Sequence, residues 1–250
     1  MPKTDTARAA LKSSLLYILA MGIANLTVRH LFNTSYNDPG YARAMLPFFC
    51  LLALGAVGCF LALRKQLPAP TGPRSYTLFL VIFVPVVGMA AYYLLTNGQL
   101  SAAFMTPLAV AFLVGLAEET MFRRVLYTAY LGEPNGRRVN GALLVSATMF
   151  SLLHAVNILA GQPLTGTLSQ LVSTFIAGLF YALMYDYTKS IGLLVTAHFL
   201  WDYILLSDAP VKIPAISIAM GALTVVEFVI TLVLILKRRK QEAIAPSQSA

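Results

Sequence analysis

Apolar runs close to the length of a bilayer crossing recur along this chain, and they decide its fold class before any motif is read. The hydrocarbon core of a bilayer is about 30 Å thick, which an α-helix crosses in about 20 residues. Eight such runs are predicted as helices, at about 10–32, 41–63, 75–96, 101–131, 139–160, 165–187, 190–206 and 213–236. Lipid offers backbone amides no hydrogen-bond partner, so a spanning segment must satisfy them internally. Of the 250 residues 58% are hydrophobic and 11% charged, which excludes a soluble globular domain. The expectation is an all-α, polytopic membrane protein of about eight transmembrane helices. The net charge of +8 would suit nucleic acid, but Lys and Arg lie in short clusters between the apolar runs. That pattern belongs to membrane topology, so the bilayer is the expected partner and nucleic acid is not.

The punctuation between the runs is turn chemistry and charge. Lys3, Arg8 and Lys12 precede the first run like the basic region of a signal peptide, but no small-residue cleavage site follows, so a retained helix is expected. Asn33-Thr34-Ser35-Tyr36-Asn37-Asp38-Pro39-Gly40 is a polar turn, and its first three residues fit the glycosylation pattern. Arg64, Lys65, Pro68, Pro70, Gly72 and Pro73 form a basic linker. Asn97-Gly98, a loop over 132–138, Gly161 with Pro163, and Asp208 with Pro210 close later runs. Lys237-Arg238-Arg239-Lys240 stops the last helix, and the final residues read as disordered. Cys50 and Cys59 fall about half a turn out of phase on one helix, which argues against a disulfide. Eight crossings put both termini on one side. That side holds 15 of the 18 Lys and Arg, against Arg29, Arg43 and Lys212 on the other. The asymmetry predicts cytoplasmic N- and C-termini.

Within the spans, ionisable residues are few. The chain has only ten acidic residues, yet Glu118 and Glu119 sit together late in the fourth run, with Arg123 after them. A charge at bilayer depth costs roughly 2.5–3.5 kcal/mol on insertion scales and marks a functional site or an ion pair. Glu119 and Arg123 are four apart and can pair on one helix face, while Glu118 lies about 100° away and can face a cavity. The plainer reading is that both glutamates neutralise Arg123 and Arg124 near the interface. On the fifth run, Phe150 lies one turn before His154 and Asn157 three residues after it. A lone histidine there is equally explained by an interhelical hydrogen bond. On the seventh, His198 and Asp202 share a face, as an orienting pair, two metal ligands or a buried ion pair. Glu227 is assigned to packing or the lipid interface, His30 to an interfacial anchor and Trp201 to core packing. Counted from the starts of their runs, His198 lies about 14 Å deep and His154 about 22 Å. A water-filled cavity opening to the cytoplasm would reach these groups.

Three of these stretches resemble the motifs of the CPBP family, which groups CAAX proteases, bacteriocin-processing enzymes and relatives once labelled Abi. The family patterns are Glu-Glu-x-x-x-Arg, Phe-x-x-x-His and His-x-x-x-Asn or Asp. Here they read Glu118-Glu119-Thr-Met-Phe-Arg123, Phe150-Ser-Leu-Leu-His154 and His198-Phe-Leu-Trp-Asp202. The resemblance divides the chain into N-terminal helices (1–100), a catalytic core (101–206) and a last helix with a basic tail (207–250). It implies an intramembrane endopeptidase in which Glu118 and His154 activate water, while His198 and Asp202 stabilise the oxyanion. Glu119, Arg123, Phe150 and Asn157 would support the site. An ionised Asp202 cannot donate to an oxyanion, so its alternatives are to orient His198, to be protonated or to bind metal. The family has been described both as glutamate-dependent and as metalloprotease. Zinc, if used, would be held by His154, His198, Glu118 and Asp202, but no His-Glu-x-x-His pattern supports it, and metal-free hydrolysis is favoured. The expected substrate is a membrane-associated or lipidated peptide or protein. The rival readings are a non-catalytic scaffold or immunity protein of the same fold, and an ion-coupled transporter, for which no inverted-repeat pattern is visible.

Overall fold

The computed structural model describes residues 3–132 and 138–244. The turn expected over 133–137 and the disorder expected at 245–250 lie outside the described residues. The elements are α1 (Lys3–Leu31), α2 (Tyr41–Leu63), α3 (Thr77–Asn97), α4 (Ala102–Glu118), a π-helix (Glu119–Tyr127), α5 (Thr128–Leu131), α6 (Arg138–Ala155), a 3₁₀ turn (Val156–Ala160), α7 (Leu164–Thr188), α8 (Ile191–Leu206), α9 (Ala209–Lys212) and α10 (Pro214–Ile244). No strand occurs among the described residues. This is the all-α membrane architecture that the apolar runs predict.

Two details differ from expectation. The fourth run is not one α-helix, because its Glu119–Tyr127 stretch winds as a nine-residue π-helix. The last helix does not stop at Leu236 but continues through the Lys-Arg cluster to Ile244. Lys and Arg are good helix formers, so a charge run ends the membrane span without ending the helix.

Among the described residues seven helices are long and apolar enough to cross a membrane; α8, the eighth expected crossing, has only 16 residues. At 1.5 Å per residue α8 is about 24 Å long, short of a full hydrocarbon core. Its direction nevertheless follows from its neighbours. Arg238 Nη2, late in α10, lies 2.5 Å from Asp186 Oδ2, late in α7. These two helices therefore run parallel, and α8 is the helix that returns the chain between them. The same end of the bundle gathers the Ser75 amide bonded to the Tyr187 carbonyl and Thr6 bonded to Gln66. The opposite end gathers the Tyr36 amide on the Ala160 carbonyl and the Tyr93 hydroxyl on the Ser207 carbonyl. The chain thus passes eight times between two ends, and α1 begins at the end where α10 finishes.

Buried apolar residues form two clusters. One joins α3, α7, α8 and α10 through Phe79, Val86, Phe180, Leu183, Leu194 and Tyr203. The other joins α1, α2, the π-helix and α6 through Tyr17, Met45, Phe122, Leu126 and Phe150. Small residues let the helices at this seam approach closely. A Cβ on Gly115 of α4 would lie 3.0 Å from the Phe199 amide nitrogen of α8, and one on Gly178 of α7 would lie 2.9 Å from Ala147 Cα of α6. Glycine at these two points is a packing requirement, as in other membrane helix pairs.

Candidate active site

The π-helix, α6, α7 and α8 meet at the seam, and each brings part of a polar cluster. Glu119 and Arg123 are both fully buried, with Arg123 Nη1 3.1 Å from Glu119 Oε1. The same carboxylate oxygen lies 2.7 Å from His198 Nδ1. Glu119 therefore bridges an arginine on its own helix and an imidazole on α8. Adjacent Arg124 takes no part: its guanidinium lies 5.0 Å from the Phe60 ring and donates to the Pro68 carbonyl at 3.4 Å. The plainer sequence reading, in which both glutamates neutralise both arginines, does not describe this arrangement.

Glu118 is 5% exposed, and its Oε2 lies 3.8 Å from His198 Nε2. Asp202 Oδ2 lies 3.4 Å from the same nitrogen and, at 24% side-chain exposure, is the most open group of the set. His198 is thus flanked by Glu119 on one ring nitrogen and by Glu118 and Asp202 on the other. Its Nδ1 uses a proton to reach an ionised Glu119, so donation from Nε2 requires a second proton on the ring. His154 Nδ1 lies 2.9 Å from the Phe150 carbonyl oxygen. That carbonyl only accepts, so the proton sits on Nδ1 and Nε2 keeps its lone pair. The Phe150 ring lies 5.1 Å from the His154 ring and 6.0 Å from the His198 ring, centroid to centroid. Phe150 is therefore the spacer between the two histidines. Asp202 is close enough to His154 for its charge to act on the ring.

Asn157 stands elsewhere. It accepts from Asn25 Nδ2 at 3.3 Å and donates to Gln170 Oε1 at 3.0 Å, and Gln170 in turn donates to the Tyr36 hydroxyl at 3.1 Å. Tyr41 donates to Asn25 Oδ1 at 2.5 Å. This network ties α1 and the 32–40 turn to the 3₁₀ turn after α6. The partners of Asn157 are Asn25 and Gln170 rather than the glutamates, histidines or Asp202 of the cluster.

Two residues near the cluster were not assigned to it from sequence. Glu227 on α10 is 6% exposed and acts electrostatically on His198. Its signal was an ionisable residue in mid-span, which sequence analysis assigned to packing. Tyr181 on α7 lies 5.6 Å from His198, ring to ring. A tyrosine on an apolar helix carries no comparable sequence signal.

Several buried atoms here lack a hydrogen-bond partner within the protein: Glu118 Oε2, Glu119 Oε2, and Arg123 Nε, Nη1 and Nη2. The Arg123–Glu119 contact is accordingly an ion pair rather than an aligned hydrogen bond. Buried polar groups left unmatched are rare in folded proteins, and a site that handles water and substrate is one place they occur. Zinc draws each ligand atom to about 2.0–2.2 Å of one point. Among the described residues no three His, Cys, Asp or Glu side chains are arranged to hold an ion. The set as arranged does not fit zinc.

Residues 100–204 match a family model described as type II CAAX prenyl endopeptidase Rce1-like, consistent with a CPBP family intramembrane protease. No curated protein and no solved structure matches the chain. The matched segment begins just before α4 and ends within α8, so it takes in Glu118, Glu119, Arg123, His154, Tyr181, His198 and Asp202 but leaves out α1 to α3 and α10.

Proposed function

We propose that this chain, which carries across residues 100–204 a domain of the Rce1-like CAAX prenyl endopeptidase family, is an intramembrane endopeptidase whose water is activated by Glu118 and His154. The observation that carries this reading is the division of labour between adjacent carboxylates. Among the described residues each has one oxygen without a hydrogen-bond partner, but Glu119 Oε1 is committed to both Arg123 and His198, whereas Glu118 meets His198 Nε2 only at 3.8 Å. Amide hydrolysis needs a base to take a proton from water and donors for the oxyanion that forms. Glu118, with the Nε2 lone pair of His154, supplies the first. The hydroxide adds to the carbonyl carbon, the C–N bond breaks, and the proton passes to the leaving amine. His198, held by Glu119, is the oxyanion donor when both ring nitrogens are protonated. Asp202 orients that ring, since an ionised carboxylate cannot donate.

The substrate is a membrane-associated or lipidated peptide or protein, either of CAAX type or a peptide precursor. The distribution of basic residues supports a topology with both termini in the cytoplasm and the site opening towards it. Arg123 drops out of that argument because it is buried. The remaining asymmetry, 14 basic residues against three, still points the same way.

The test is cleavage of a mixed library of farnesylated CAAX-type and leader-type peptides by purified protein in liposomes, with products identified by mass. Cleavage that is lost in His154→Ala and unchanged by chelator is the expected result. Loss of cleavage with chelator and recovery with zinc would replace this mechanism with a metal-dependent one.

A further inference from the structure

The buried guanidinium of Arg123 raises a question that the hydrolytic scheme leaves open. It is fully buried, and among the described residues it has one ion contact, at 3.1 Å, and none of its three nitrogens makes a hydrogen bond. A buried charge with so few polar partners needs another source of stabilisation. Two aromatic rings supply it. Arg123 Cζ lies 4.0 Å from the Phe150 centroid and 5.5 Å from the Tyr181 centroid. Both are within the roughly 6 Å over which a ring face attracts a cation, an attraction strengthened where water is excluded.

The same two rings bound the His198 imidazole. Phe150 meets it at 80° and 6.0 Å, and Tyr181 at 50° and 5.6 Å. Phe150 belongs to the apolar cluster of α1, α2 and α6, and Tyr181 to that of α3, α7, α8 and α10. The rings therefore close on Arg123 and His198 from the two halves of the molecule. Glu119 holds Nδ1 and Asp202 lies 3.4 Å from Nε2, and two contacts at the ring edge still leave the imidazole free to rock about the line between them. Contacts on its flanks remove that freedom.

We propose that Tyr181 is a positioning residue of the hydrolytic site: with Phe150 its ring holds the Arg123 guanidinium and fixes the plane of the His198 imidazole. The proposal rests on the peptidase reading for its effect on rate, but not for its effect on His198. What matters is the aromatic ring, not the hydroxyl.

The experiment compares Tyr181→Phe, Tyr181→Met and Tyr181→Leu. Steady-state cleavage is measured alongside NMR of protein labelled with ¹³C-histidine, where only His30, His154 and His198 give signals. Tyr181→Phe is expected to keep kcat and the His198 resonance. Tyr181→Met and Tyr181→Leu are expected to lower kcat about 10- to 100-fold with little change in KM, the scale on which small misplacements act. In both, the His198 resonance shifts while that of His30 does not. A general loss of folding would move all three signals, and Tyr181→Met, whose unbranched chain adapts to the space left by the ring, guards against that outcome in the leucine variant. An unmoved His198 resonance and full activity in Tyr181→Met would overturn the proposal. So would a Tyr181→Phe variant as impaired as Tyr181→Leu, because that would assign the role to the hydroxyl. If wild-type protein cleaves nothing, the peptidase reading fails alone, and the His198 resonance still decides the place of Tyr181.

Discussion

Glu118 and Glu119 are neighbours in sequence with unlike surroundings. One oxygen of Glu119 serves both Arg123 and His198, so its replacement removes two contacts at once. Arg123→Ala leaves that carboxylate buried beside His198 alone, and breaking a buried pair in this way costs about 3–5 kcal/mol. The variant is expected to show a large loss of thermal stability in detergent, whereas Arg124→Ala, on the linker side, is expected to change stability little. Equal effects from the two arginines would contradict the assignment. Sequence reading reached the Glu119–Arg123 pair because four-residue spacing is a local rule. It missed the Glu119–His198 bond and the placing of Tyr181 because both depend on which helix packs beside which. Asn157 was drawn into the site by its nearness to His154 in sequence. In the structure the chain has already passed into the 3₁₀ turn there, and the side chain joins Asn25 and Gln170 instead.

At the scale of elements, the π-helix over Glu119–Tyr127 is the feature that hydropathy could not reveal. An apolar run reports that a helix is present, not whether its hydrogen bonds close over four residues or five, and single π-turns within α-helices are often functional. The close approach at Gly115 is what holds this segment against α8. Its missing Cβ would meet backbone atoms of Phe199 and Val195 at 3.0 and 3.1 Å, so neither helix can yield by moving a side chain. Gly115→Val is expected to force α4 from α8 at a cost of about 1–3 kcal/mol, typical of overpacking. It should also reduce cleavage more than that loss of stability accounts for, because Glu118 and His198 would separate. Gly55 is the control: a Cβ there meets nothing within 4 Å, and Gly55→Val is expected to leave both stability and cleavage unchanged. Thermal unfolding and cleavage rates of the two variants check this together.

For the molecule as a whole, the eight passes of the described chain were legible from the apolar runs, though only seven of these helices are long enough to count as membrane crossings and α8 is not. What sequence could not supply is the reason α8 is nonetheless a return pass, namely that Asp186 and Arg238 bring the last turns of α7 and α10 together. The charge asymmetry then predicts sidedness. In a Cys50→Ser, Cys59→Ser background, cysteines placed at the exposed positions Asn37 and Arg74 should react with a membrane-impermeant thiol reagent from opposite faces. Arg74→Cys should label from the cytoplasmic face in inside-out vesicles, and Asn37→Cys from the other face in intact cells. Labelling of both from one face would contradict the eight-pass arrangement.

The central claim is that Glu118, and not its neighbour, activates the water. The most direct measurement is the single-turnover cleavage rate of Glu118→Gln against wild type in the same liposomes, with thermal unfolding of both proteins recorded alongside. The account predicts a fall in rate of at least about 100-fold, the lower end of what general-base catalysis contributes, with the unfolding temperature unchanged. A Glu118→Gln protein that cleaves within a few-fold of wild type would contradict it.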